Sequence, residues 1–173
     1  MVLTTVFVAT VGLYTATAAM VDLCEHRIPN YLTVPAAVLG LMYHGLFPGG
    51  WGLLSALAGM AIGFSLLLLP WLLGGGGMGD VKLLAALGAW LGPILMLVAF
   101  AASIFVAALA AVGVLVYSTC HRGVSVTKKK YLARRRSSRK GRPVPVRVVP
   151  FAVPVAVSTW LVMAWLVLRG NLI

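Results

Sequence analysis

Apolar residues in this chain come in long blocks separated by short polar breaks. Runs from Met1 to Val21, Tyr31 to Phe47, Trp51 to Leu73, Pro93 to Tyr117 and Val148 to Leu168 are each near or above the roughly 20 residues that a helix needs to cross a hydrocarbon core about 30 Å thick. Five helical spans follow from these blocks. A further segment, Asp80 to Leu91, would make a helix of only about 18 Å. Fusing it with the next run would give a helix of about 57 Å, interrupted at Gly92-Pro93, where a proline starts or kinks a helix. The pattern is therefore read as two helices there and about six in all. The expected fold is all-α, a polytopic membrane helical bundle forming one domain over residues 1–173.

Composition agrees. The 173 residues are 61% hydrophobic and 10% charged, with a mean hydropathy of +1.02, far from an ordinary soluble domain. Basic residues test the span count. With the N-terminus outside and six spans, 13 of the 14 lysines and arginines, all but Arg169, fall on the cytoplasmic side, as the positive-inside rule asks. The best five-span arrangement keeps only 11 of them inside. Both arrangements put Asp22 and Asp80 at the same face, because an even number of spans separates them.

The net charge of +11 comes mostly from one inter-helix segment. Eleven basic residues lie between Arg122 and Arg147, including Lys128-Lys129-Lys130 and Arg134-Arg135-Arg136. This loop, at about 121–147, is expected to set topology first and to meet anionic lipid headgroups second, with an acidic partner third. Nucleic acid is a poor partner for it, since Tyr131 is its one aromatic residue and no folded reader surrounds it. Cys24 and Cys120 form no CxxC pair, so neither a redox nor a zinc site is indicated. His44 and His121 have no acidic or cysteine partners at ligand spacing, so no metal is expected. No positive residue precedes the first apolar run, unlike a secretory signal, and the first helix is expected to be retained. The spacing Gly59-x-x-x-Gly63 allows close helix approach.

Only three carboxylates occur: Asp22, Glu25 and Asp80. An acid at membrane depth costs free energy unless it meets water or a partner. For Asp22 the plain alternative is a headgroup-level helix end, and for Asp80 a first-turn acid welcomed by the helix dipole. Their settings favour chemistry. Asp22 precedes Arg27-Ile28-Pro29-Asn30, where Pro29 disfavours helix continuation and Asn30 can cap the next helix. Asp80 follows Gly74-Gly75-Gly76-Gly77-Met78-Gly79, which lets another backbone approach closely. Non-helical backbone at membrane depth needs protein or a water-lined cavity around it, and a substrate cleft would provide one. Two carboxyl groups held close share protons, which suits peptide hydrolysis: one activates water while the other donates to the developing oxyanion and the leaving nitrogen. Glu25, beside His26 and Arg27, reads as part of a solvated loop. Lys82, two residues from Asp80 and so on another helix face, reads as a headgroup anchor that could also orient substrate.

Gly77-Met78-Gly79-Asp80-Val81-Lys82-Leu83-Leu84 resembles the GxGD-x-K-L signature of prepilin peptidases, and Asp22 to Asn30 resembles their earlier aspartate followed by Ile-Pro-Asn. Val149-Pro150-Phe151-Ala152-Val153-Pro154 is similar to their Pro-aromatic-small segment, with Ala152 where glycine is frequent. The resemblance implies a six-helix aspartic endopeptidase of the prokaryotic cytoplasmic membrane. Its catalytic Asp22 and Asp80 would face the cytoplasm, with Gly77, Gly79, Lys82, Pro29, Asn30 and Pro150 in supporting positions and no cofactor. Substrates would be precursors of type IV pilins and pseudopilins, cut between a basic leader and the hydrophobic segment after it. Larger relatives carry a CxxC-containing cytoplasmic domain and methylate the new N-terminus. This chain has no such cysteines or room for that domain, and looks like the small peptidase-only branch associated with tight-adherence or Flp-type pili. Rival readings are an ion- or proton-coupled transporter, whose inverted repeat is not visible here, and a non-catalytic membrane scaffold.

Overall fold

A computed structural model describes residues 2–25, 27–46, 52–73, 77–122 and 151–169. These form five helices and, among the described residues, no strand: α1 (Val2–Glu25), α2 (Asn30–Leu46), α3 (Leu53–Leu72), α4 (Met78–Arg122) and α5 (Ala152–Arg169). Residues 47–51 and 74–76, Pro150 and the basic segment from 123 to 147 lie outside the described residues.

Among the described residues, four helices are long and apolar enough to cross a membrane, at Thr5–Glu25, Leu53–Leu72, Met78–Val114 and Ala152–Arg169. The difference from six has two sources. α2 has only 17 residues. The two helices expected after Asp80 form one element, α4, whose helical torsions fail at Gly92 (φ 70°, ψ 178°). That conformation is open essentially to glycine alone, and Pro93 pushes the residue before it out of the α region. The break thus sits on the glycine, with the proline restarting the helix behind it. α4 has two limbs, 78–91 and 93–122.

The first limb is the centre of the bundle. Val81, Leu83, Leu84, Ala86, Leu87, Ala89, Trp90 and Leu91 are all buried. α3 runs antiparallel against it: a Cβ on Gly59 would collide with the Gly88 carbonyl oxygen, and one on Gly63 with that of Leu84. The Gly59-x-x-x-Gly63 spacing therefore does what its sequence suggests, letting two backbones touch. α2 lies parallel to the limb on another side. The Trp90 indole N–H donates to the Ala36 carbonyl (2.8 Å), and His44 Nε2 donates to the Trp90 carbonyl (2.8 Å). Phe7 and Tyr43 pack on the Trp90 ring at 5.9 and 5.5 Å between centroids. His44, 3% exposed, is a core histidine of this aromatic cluster. α5 runs antiparallel to α1, joined by the Trp160 indole N–H donating to Thr15 Oγ1 at 2.9 Å.

Outward-facing positions carry large apolar side chains such as Leu54 (82% exposed) and Phe105 (65%). Lipid tails are the solvent that matches such a surface.

Candidate active site

Chain direction brings four helix ends together. α1 finishes, and α2, α4 and α5 begin, at one end of the bundle, while the aromatic cluster lies toward the other. Asp22 sits in the last turn of α1, which continues through Glu25. It is 6% exposed and therefore buried. The reason is α5: the Ala152 backbone N–H donates to Asp22 Oδ2 at 3.1 Å. A helix leaves its first N–H groups without intrahelical partners, and Pro154 has no N–H to satisfy. Asp22 thus caps α5 from across the bundle. Ala152 entered the sequence reading only through its side chain, as a small residue; a backbone donor has no side-chain signature.

Asp80 is the third residue of α4, and its own N–H donates to the Gly77 carbonyl at 3.1 Å. It is partly buried, and lies close enough to Asp22 for their charges to repel. Each acid therefore stands at the N-terminal end of a helix, α5 for Asp22 and α4 for Asp80, where the dipole favours negative charge.

Around the acids the supporting residues fall into two groups. A Cβ on Gly77 would lie 3.3 Å from Asp80 Oδ2, so the absence of a side chain there leaves the carboxyl its space. A Cβ on Gly79 would lie 3.2 Å from both the backbone nitrogen and Cβ of Ile28, so this glycine seats the α1–α2 turn on the start of α4. Lys82 Nζ donates to Asn30 Oδ1 at 2.8 Å, tying the same two segments. One expectation changes here. Asn30 is the first residue of α2, not its cap; the Pro29 carbonyl accepts from Leu32 and Thr33. Lys82 is joined to the α1–α2 turn through Asn30. Glu25 ends α1 and is exposed, as is Cys24. Pro150 and the side chains of Cys120 and His121 lie outside the described residues.

A multi-pass helical protein of the membrane with two aspartates drawn together at one end of its bundle is the class that fold and site define. Residues 7–112, more than half of the chain and including both acids, match the type IV leader peptidase family, and the chain belongs to that family. Among its relatives are the prepilin leader peptidase/N-methyltransferases of Aeromonas salmonicida, 36% identical over 123 residues, and of Aeromonas hydrophila, 35% identical over 123 residues. Each alignment covers 65% of this chain and 41% of the relative, so the chain spans about two fifths of the length of those proteins. No solved structure gives a significant match.

Proposed function

We propose that this chain is an aspartic endopeptidase that removes leader peptides from prepilin-like precursors, with Asp22 and Asp80 as its catalytic pair. The observation that carries the reading is the meeting of these two acids, far apart in sequence, within reach of each other's charge. One ionised carboxylate takes a proton from water as its oxygen attacks the scissile carbonyl carbon. The other, protonated, gives its proton to the oxyanion; the carboxyl that took the water proton passes it to the leaving nitrogen as the peptide C–N bond breaks, and the collapsing gem-diol returns a proton to the second acid. One water is consumed per cut.

Membership of the family and the names of the Aeromonas relatives support prepilin or pseudopilin precursors as substrates. The reading further takes α2 and both limbs of α4 as crossings, giving six. The acids then face the cytoplasm of a prokaryotic cell across its inner membrane, and the basic segment lies on the same side against anionic headgroups. With no CxxC pair in this sequence, the reading assigns the chain no methyl transfer.

The test is cleavage of a prepilin-like substrate by the purified protein and by Asp22→Asn and Asp80→Asn, each checked for retained helicity. Both variants are expected to lose cleavage. Near-normal cleavage by either would refute the pair, and incorporation of methyl groups from S-adenosylmethionine by the wild type would refute the peptidase-only assignment.

A further inference from the structure

Lys82 follows Asp80 by two residues, and at about 100° of helical rotation per residue their side chains leave α4 on opposite sides. Its ammonium instead reaches the first residue of another helix, donating to Asn30 Oδ1 at 2.8 Å. An ammonium only donates, so Asn30 has to present its oxygen and not its NH₂ group. Two residues before Asn30, Ile28 is seated on Gly79. The α1–α2 turn is therefore fastened to the start of α4 on both sides of Asp80, by backbone packing at 79 and a polar bond at 82. Three residues before Glu25, the last residue of α1 and the one that enters this turn, stands Asp22.

We infer that Lys82 is a positioning residue that works through Asn30: its hydrogen bond holds the α1–α2 turn, and with it Asp22, in register with Asp80. The function required of Lys82 is a donor delivered to Asn30. A positive charge beside the acids would call for the ammonium to turn toward Asp80. The packed Gly79–Ile28 contact resists separation of the two segments, while the bond at 82 resists sliding of one past the other. Sliding is the motion that would change the alignment of the carboxyls without unfolding the bundle. This inference rests on the aspartate-pair reading of the site.

A double-mutant cycle tests it. Lys82→Met keeps the side chain's reach and removes the donor; Asn30→Leu keeps its bulk and removes the acceptor. Each is expected to lower kcat for a prepilin-like substrate by about five- to tenfold, the scale of one solvent-exposed hydrogen bond, with KM little changed. The double variant should be no worse than either single one. Lys82→Arg and Asn30→Asp, which preserve donor and acceptor, should restore most of the rate. The thermal midpoint of the single variants should stay within a few degrees of wild type. Wild-type activity in Asn30→Leu alongside a slow Lys82→Met would overturn the inference, since Lys82 would then act by its own charge. Strictly multiplicative losses in the double variant would overturn it as well. Activity in Asp22→Asn or Asp80→Asn would instead remove the reading beneath it, so the two failures are distinct.

Discussion

Asp22 and Asp80 are conspicuous in a chain with three carboxylates, and their scarcity made them legible before any geometry. What holds them was not legible. The donor to Asp22 is a backbone N–H 130 residues away, and no side-chain pattern announces which N–H a buried acid will meet. Ala152 stands at the first position of α5, where proline is tolerated because its missing N–H is unpaired within the helix. Ala152→Pro should therefore keep α5 intact while depriving Asp22 of its donor. Cleavage is expected to fall about tenfold or more, with helicity by circular dichroism unchanged. Gly77→Ala probes the other acid. The added methyl would press on Asp80 Oδ2 from 3.3 Å, so kcat should fall several-fold while the thermal midpoint stays put. An equal rate in this variant would mean that the carboxyl has room to move.

Helix positions were readable from the apolar blocks, but helix ends and pairings were less so. α1 runs beyond its apolar block to Glu25, because Asp22 near its end is occupied by α5 and need not be left to water. The glycine spacing on α3 announced a close contact without naming its partner, since that depends on which helix lies opposite. Gly88 on α4 answers it, with carbonyl oxygens and glycine Cα atoms in mutual van der Waals range. Gly88→Leu should separate α3 from α4 and unfold the bundle at lower denaturant, whereas Gly12→Ala, with open space where its methyl would go, should be neutral. The Gly92-Pro93 break was legible as a break, but the proline drew the attention that belongs to the glycine. Gly92→Ala places a Cβ on a backbone with φ near 70° and is expected to cost about 1–3 kcal/mol in a reversible unfolding titration.

Across the whole molecule, the acids come together at one end because the intervening helices, α2 and α3, run in opposite senses. Cys24, exposed two residues from Asp22, reports on the side of the membrane that this end faces. A membrane-impermeant maleimide should label Cys24 in inside-out vesicles and not in intact cells; the reverse result would invert the proposed orientation. The basic segment lies outside the described residues, and the topological role proposed for it rests on its charge alone.

The first limb of α4 spans only residues 78–91, and Asp80 stands about 18 Å from the break at Gly92 at 1.5 Å per residue. A lipid-facing helix of that length would strain the bilayer around it, because the hydrocarbon core is about 30 Å thick. This limb is enclosed by its neighbours, from Val81 through Leu91, and it pays no such penalty. Longer helices take up the match to the acyl chains, leaving the innermost helix free to be as short as its task requires. Asp80 can thus lie below the headgroup plane while the protein's outer wall keeps the thickness of an undisturbed membrane.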